Sequence, residues 1–165
     1  MIDKNYLLEW LKEIDKKLKN EIVVVAIGGT AMTLLRIKSS TIDIDFCVES
    51  KRRKELEQAL DSRFKIDIYV DGLIFSEQLP ADYAEKSKLI LKMKKITLKA
   101  LHPVDIIITK AARFNARDEE DIQALVKYVK KEELVARFER VVESYAGKEE
   151  DYRYHFSLLL QRYFS

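Results

Sequence analysis

Glycine and proline are scarce in this sequence, and cysteine is almost absent. The 165 residues include four glycines, two prolines and one cysteine, Cys47. One cysteine excludes an internal disulfide framework. The low glycine and proline content, together with many Lys, Arg and Glu residues, is typical of proteins from thermophilic sources.

Long apolar segments are missing as well. No run of apolar residues is long enough to cross a bilayer, and the N-terminal stretch MIDKNYLLEWLKEIDKK has charges too closely spaced for a secretory segment. We therefore expect a cytoplasmic protein without a membrane partner. The formal net charge of +2, from 30 basic and 28 acidic residues, neither requires nor excludes a nucleic-acid partner.

What remains is a heavily charged chain with enough apolar residues for one core. Hydrophobic residues make up 47% of the 165 residues, which is the size of one ordinary domain. We expect a single domain over residues 1–165, with a core at about 20–101 and C-terminal helices at about 103–165. The predicted class is α/β (α+β), a mixed β-sheet flanked by helices and followed by a helical C-terminal part.

Changes of hydrophobic period along the chain support this class. Helical spacing predicts an amphipathic helix over about residues 4–19, and everything from Pro103 onward is predicted to be helical. The remaining patterns predict strands in IVVVAI, TIDIDFCV and FKIDIYV, helices in TAMTLLRI and RRKELEQAL, and a hairpin formed by KLILKM and ITLKAL.

Two of the four glycines, Gly28 and Gly29, lie side by side directly after the first predicted strand. A strand that ends in Gly-Gly-Thr and leads into a helix presents bare backbone N–H groups and a helix N-terminus. Both features attract phosphate oxygens.

The TIDIDF stretch supplies carboxylates. Strand alternation directs Ile42, Ile44 and Phe46 to one face, and Asp43 and Asp45 to the other. Carboxylate oxygens are hard ligands, so we expect Mg²⁺, or Mn²⁺, in preference to zinc.

A third carboxylate is expected from FKIDIYVDG, where Asp67 and Asp71 share one facing. We favour Asp67, because Asp71 adjoins Gly72 and has the character of a turn residue. Three converging carboxylates would repel one another without metal, which favours a two-metal phosphoryl-transfer centre.

These residues resemble those of a known family. Ile27-Gly28-Gly29, thirteen intervening residues, Asp43-Ile44-Asp45-Phe46 and a later strand with Asp67 are similar to the polymerase-beta-type nucleotidyltransferase superfamily. The stretch VDIIITKAARFNARDEEDIQAL, residues 104–125, resembles the Lys-x-x-Ala, Arg-Asp, Asp-Ile run of minimal nucleotidyltransferases related to AbiEii toxins. Together the matches cover about residues 22–129.

The resemblance implies a nucleotidyltransferase fold and a role for each matching residue. Asp43 and Asp45 would bind both metal ions, and Asp67 would complete the metal ion that activates the attacking hydroxyl. The phosphates of the nucleotide would be held by Gly28, Gly29, the Thr30 hydroxyl and Lys110.

On one continuous helix, Lys110, Arg117 and Asp121 would form a polar stripe, which makes Arg117 and Asp121 further candidates for binding the nucleotide. Alternatively, Asp118 and Asp121 cap a second helix after a break near Asn115. Both readings are compatible with the sequence.

The implied reaction is transfer of a nucleoside monophosphate from a nucleoside triphosphate to a hydroxyl of RNA, tRNA included, or of a protein, with an antitoxin as a further partner. Two other hypotheses remain open: a nucleotide-binding module of the same fold without transfer activity, and a structural or interaction protein whose carboxylates are merely solvated. Metal-dependent nucleotide binding would separate the first two hypotheses from the third.

Overall fold

The computed structural model describes all residues from 1 to 165. The helices are α1 Lys4–Asp15, α2 Gly28–Leu34, α3 Ser50–Ala59, α4 Tyr83–Lys86, α5 Pro103–Ala111, α6 Ala116–Leu125, α7 Lys131–Val141 and α8 Glu149–Tyr163. The strands are β1 Ile22–Ala26, β2 Ile44–Val48, β3 Ile66–Val70, β4 Leu73–Ile74, β5 Glu77–Gln78, β6 Lys88–Lys92 and β7 Ile96–Ala100. The mixed α/β class predicted from the sequence is confirmed.

The chain divides into two compact units. The first comprises residues 1–71 and 84–101, and the second comprises residues 72–83 and 102–165. The second unit therefore contains the predicted C-terminal helices and also a short segment that the sequence analysis placed in the core. No helix of the chain combines the length and the apolar character needed to cross a membrane.

The first unit is built on five strands in the order β3-β2-β1-β7-β6. Strand β1 runs parallel to β7 and antiparallel to β2, while β2 runs parallel to β3. Strands β6 and β7 form the predicted antiparallel hairpin. The sheet is therefore mixed. The pairs β1–β2 and β6–β7 are antiparallel, and the pairs β1–β7 and β2–β3 are parallel.

The strand β2 begins at Ile44, later than the alternation predicts. Ile44 and Phe46 are fully buried, as expected, but Ile42 precedes the strand in a bend and its residue surface is 62% exposed. The prediction that Ile42 shares the buried face is therefore wrong. Cys47 is buried, in agreement with a packing role.

Helix α1 ends at Asp15 and not near residue 19. The Asp15 carboxylate accepts hydrogen bonds from the backbone N–H groups of Lys95 and Ile96, both at 2.8 Å. These bonds fix the end of the helix against the hairpin turn. The N–H groups of Lys19 and Asn20 then bind the Glu55 carboxylate at 3.0 Å. These side-chain acceptors replace the last turn of the predicted helix.

In the second unit, α5 and α6 are separate helices. Phe114 lies between them with a φ of +49°, a left-handed backbone conformation that interrupts a helix. Asn115 then caps α6, and its side chain and that of Asp118 form a reciprocal capping box. The reading with a break near Asn115 is therefore confirmed, and the continuous helix is wrong.

The core of the second unit is aromatic. Phe138 of α7 stacks on Phe156 of α8 at 3.8 Å between ring centroids, and it meets the Tyr152 ring edge-on at 4.8 Å. The buried Tyr152 hydroxyl donates to the Ile108 carbonyl of α5 at 2.9 Å. The aromatic C-terminal segment therefore packs on the helices before it.

Candidate active site

The two glycines of the turn between β1 and α2 differ in how strongly their surroundings select glycine. Gly28 has a φ of +53°, which side chains disfavour, and a Cβ there would lie 3.8 Å from Oδ2 of Asp45. Gly29 has an ordinary φ, and a Cβ at 3.2 Å from the Thr41 hydroxyl would require that side chain to shift by a few tenths of an ångström. The backbone conformation thus selects Gly28, which lies next to a predicted metal ligand.

The Thr30 hydroxyl holds the two aspartates of the D-x-D segment in place through their backbone. It donates to the Asp43 carbonyl at 3.2 Å and accepts from the Asp45 N–H at 3.0 Å. Thr30 is fully buried. These bonds give Thr30 a positioning role, which differs from the phosphate contact implied by the resemblance.

Asp45 and Asp67 lie directly beside each other on β2 and β3. The parallel register pairs their Cα atoms, so both side chains project from the same face of the sheet. Neighbouring strands are about 4.8 Å apart, which is within reach of a shared cation. Asp45 is half-buried, whereas Asp67 is exposed.

Asp43 lies in the bend before β2 and is exposed. Its carbonyl accepts from both the Thr30 and the Thr41 hydroxyls, the latter at 2.8 Å, so its backbone is fixed while its side chain faces solvent. No group of three His, Cys, Asp or Glu side chains in the chain is arranged to hold a metal ion. The structure thus pairs Asp45 with Asp67 but does not gather all three acids.

Asp71, the rival third acid, has a structural role. It follows β3 with a φ of +54°, and its Oδ1 accepts the backbone N–H of Ser50 at 3.1 Å, at the start of α3. A carboxylate at a helix N-terminus is a stabilising cap. This observation supports the choice of Asp67.

In the second unit, Lys110 is engaged in ion pairs. Its ammonium is nearly buried and lies 2.8 Å from Asp121 and 3.8 Å from Asp118. Lys110 and Asp121 therefore form an ion pair between two helices, which differs from the polar stripe predicted along one continuous helix. Arg117 is exposed on the first turn of α6.

The carboxylate of Asp118 is held by neighbouring groups of the second unit. Its carboxylate receives two hydrogen bonds from Arg113, at 2.8 and 2.7 Å, and the Asn115 N–H at 3.1 Å. Asp118 is buried. The capping role predicted for Asp118 is confirmed, whereas Asp121 pairs with Lys110 and does not cap α6.

Two residues near these groups escaped the sequence analysis. Thr41 donates its hydroxyl to the Asp43 carbonyl and would lie 3.2 Å from a Cβ at position 29, and no sequence pattern pointed to it. Glu77 is buried in the second unit with no hydrogen-bond partner for Oε2. It lies on a strand of two residues, too short to show any alternation that would have revealed its burial.

Comparison with protein families identifies the chain. Residues 5–164 match the model of a family described as "Nucleotidyltransferase of unknown function (DUF6036)". The chain belongs to this nucleotidyltransferase family. A search among curated proteins finds no match.

Family membership supports the nucleotidyltransferase resemblance at the level of the family, and with it a nucleotide substrate. The family description does not name the AbiEii-related subtype, an acceptor or a metal. Those finer predictions depend on the residues of this nucleotidyltransferase alone.

The residues of the nucleotidyltransferase fit a hard divalent cation. Asp45 and Asp67 lie side by side on neighbouring strands, and Gly28 adds no Cβ at the position 3.8 Å from Oδ2 of Asp45. Mg²⁺ is commonly bound through one or two carboxylates and substrate phosphates, which does not require a complete protein cage. The donor set is therefore compatible with a magnesium ion.

Proposed function

We propose that the chain is a metal-dependent nucleotidyltransferase that moves a nucleoside monophosphate from a nucleoside triphosphate to a hydroxyl group. The observation that carries this proposal is the direct pairing of Asp45 and Asp67 beside the Gly28 turn. Two carboxylates on one sheet face, next to a turn with unpaired N–H groups, suit a cation and a phosphate together.

Each residue has a role in the proposal. The N–H groups of Gly28 and Gly29, which have no intrahelical acceptor, bind phosphate oxygens. Asp43, Asp45 and Asp67 hold Mg²⁺, or Mn²⁺, which when bound neutralises charge on the phosphates. Asp43 must turn its exposed side chain towards Asp45 to take part.

The reaction is an in-line displacement. The acceptor oxygen attacks the α-phosphorus, the bond from the α-phosphorus to its bridging oxygen breaks, and that electron pair leaves with pyrophosphate. The hydroxyl proton passes to water. Such chemistry needs positioning and charge stabilisation more than covalent catalysis, so rigid strands are an appropriate support for the acids.

The phosphate contacts implied for Thr30 and Lys110 are not part of this proposal. The Thr30 hydroxyl and the Lys110 ammonium already bind protein groups, and the same holds for Asp121. Arg117 stays a predicted contact on an exposed helix turn.

The acceptor, RNA, tRNA included, or a protein hydroxyl, follows from the resemblance and stays a prediction. The same applies to an AbiEii-like subtype, to a toxin activity and to an antitoxin partner.

One observation favours a second candidate function, a nucleotide-binding module without transfer activity. Because the three acids are not gathered into one group, the chain could hold a nucleotide through Gly28, Gly29 and Asp45 without completing a second metal position. Transfer separates the two functions, whereas binding does not.

The test is calorimetric binding of ATP, GTP, CTP and UTP, with and without Mg²⁺, to the wild type and to Asp45→Asn. We expect Mg²⁺-dependent binding of at least one nucleotide, weakened about tenfold or more by the substitution. Glu13→Gln is the matched control, since Glu13 is an exposed acid of the first unit outside the site.

Transfer is then measured with an α-³²P-labelled form of the bound nucleotide, offered to total RNA and to total protein. Label on either acceptor that is lost in Asp45→Asn supports the nucleotidyltransferase. Mg²⁺-dependent binding without label supports the binding module. Equal binding by Asp45→Asn and Glu13→Gln would refute the site.

A further inference from the structure

Glu77 is a buried acid of the second unit that forms no salt bridge. The residue is 3% exposed, and its Oε2 atom has no hydrogen-bond partner. The other two buried acids of this unit, Asp105 and Asp118, each receive two hydrogen bonds from an arginine. The protein therefore neutralises those two carboxylates directly, whereas it leaves Glu77 without a cation bound to it.

Glu77 lies at the tip of a very short hairpin. Strands β4 and β5 contain two residues each and pair Ile74 with Glu77, so Phe75 and Ser76 alone form the turn. The backbone N–H groups of Ser76 and Glu77 form hydrogen bonds with the carboxyl. A hairpin of this length has little stability of its own, so the tip stays in place through its contacts with the rest of the second unit.

Ionisable groups of the surrounding elements face the Glu77 carboxyl. Arg113, between α5 and α6, and Asp118 of α6 act on it through their charges. Tyr145, after α7, and Tyr152 of α8 lie close as well, since burial and then the charge of Glu77 raise the pKa of both hydroxyls. The Arg113 guanidinium is bound to Asp118, and the Tyr152 hydroxyl to a backbone carbonyl of α5. A charge on Glu77 would therefore be buried without a direct partner.

The tip of the hairpin also carries a strained residue. Phe75 has a φ of +54°, a left-handed conformation that is unusual for an aromatic residue, and it is 61% exposed. The contacts of the tip include a hydrogen bond from the Ala146 N–H to the Ser76 carbonyl at 3.0 Å. They also include the Arg113 guanidinium, which lies 5.7 Å from the centre of the Phe75 ring. Movement of the tip into solvent would relieve the Phe75 conformation and bring Glu77 into contact with water.

We propose that residues 75–77 form a latch that opens when the Glu77 carboxyl loses its proton to water. The neutral carboxyl tolerates burial, so the latch stays closed and the bond between Ala146 and Ser76 remains. The ionised carboxylate does not tolerate burial without a partner, and the latch opens to hydrate it. The aromatic core of α7 and α8 stays packed in both states. The latch lies within the second unit and acts whether or not the first unit transfers a nucleotide.

The experiment measures hydrogen exchange at single amides of the full chain by NMR, at pH 5 to 8. The rates are corrected for the pH dependence of exchange in an unfolded peptide. The Ala146 amide reports on the latch, and amides inside α7 report on global unfolding. A low concentration of urea separates the two, because its effect grows with the surface that an opening exposes.

Two variants accompany the wild type. Glu77→Gln removes the titration with little change of shape, and Glu143→Gln is the matched control, an exposed glutamate close to Ala146 in sequence. In the wild type and in Glu143→Gln the protection of the Ala146 amide should fall on the order of 50-fold between pH 5 and 8. The reason is that the carboxyl has a pKa of about 7 in the closed latch and an ordinary pKa in the open latch. In Glu77→Gln this protection should stay constant. At pH 8 the exchange of Ala146 in the wild type should not respond to urea that accelerates exchange inside α7.

The proposal is overturned if the protection of Ala146 in the wild type does not change between pH 5 and 8, or if it falls equally in Glu77→Gln. It is also overturned if urea accelerates exchange at Ala146 and inside α7 alike, because Glu77 then acts through global stability and not through a latch. If Glu77→Gln does not fold, the response of the wild type to pH and urea decides the question.

Discussion

Aspartates are used in opposite ways in the two units. In the second unit Asp105 is fully buried and receives two hydrogen bonds from Arg137, at 2.7 and 2.8 Å. In the first unit Asp43 and Asp67 are exposed and form no salt bridge, and Asp67 stands beside another carboxylate, that of Asp45.

The difference teaches how to tell a structural acid from a functional one. A buried carboxylate must be neutralised by the protein itself, or the fold loses more than it gains. Carboxylates placed side by side on neighbouring strands repel one another. The first arrangement is explained by folding, whereas the second is the one on which the proposed cation site depends.

The largest change in stability is expected when the buried pair of Asp105 and Arg137 is broken. Arg137→Ala leaves Asp105 without its partner in the interior, so the free energy of unfolding should fall by about 3–5 kcal/mol. Burial already raises the pKa of the Asp105 carboxyl, an effect that Arg137 opposes. Denaturant unfolding measures the change.

The matched control for this substitution is Arg153→Ala. Arg153 pairs with Glu149 on the exposed face of α8, at 2.9 Å. Loss of an exposed pair should destabilise the protein far less than loss of the buried pair. Equal losses in the two variants would contradict the structural role of the buried pair.

Glu77 is the exception in the second unit, and it predicts a pH dependence. Burial raises the pKa of its carboxyl to about 7, despite hydrogen bonds from the N–H groups of Glu77 and Ser76 and the charge of Arg113. Because the folded-state pKa of Glu77 is raised, its carboxyl contributes stability that is fully present below its ordinary pKa of about 4.5. This stability is lost as the pH rises towards and through about 7. The free energy of unfolding should therefore fall by up to about 3 kcal/mol between pH 5 and 8.

Glu77→Gln isolates this effect, because the amide has a similar shape and does not titrate. Unfolding at pH 5 and at pH 8 should show a smaller fall in the variant than in the wild type. An identical fall in both proteins would assign the pH dependence to other groups.

The smallest expected effect has the opposite sign. Asp67→Asn removes one of two adjacent carboxylates, so without metal the free energy of unfolding should rise slightly, by about 0.5 kcal/mol or less. Thermal unfolding with and without Mg²⁺ checks this, since Mg²⁺ should stabilise the wild type more than the variant. A large destabilisation in the variant would make Asp67 a structural acid like Asp105.

Much of the first unit follows from local sequence patterns. Alternation in TIDIDF and FKIDIYV predicts strands, and the shared facing of Asp45 and Asp67 follows once the strands lie side by side. The glycine pair predicts the turn into α2. These features depend on residues close in sequence, so periodicity and backbone chemistry are sufficient to predict them.

Other features depend on residues that are distant in sequence. The end of α1 at Asp15 is set by N–H groups of the hairpin 80 residues later. Hydrophobic periodicity cannot predict a partner so distant in sequence. Similarly, nothing local shows that Asp105 would meet Arg137, or that Lys4 would lie beside Arg36 and Lys88.

The sequence by itself determined the strand and helix types, the Gly28 turn and the acidic character of the candidate site, because each is encoded by neighbouring residues. Only the tertiary structure decided which acids are neutralised by the protein and which stand beside one another in solvent. The physical reason is that burial and charge pairing are properties of groups brought together by folding, and they determine whether a carboxylate stabilises the fold or is available to a cation.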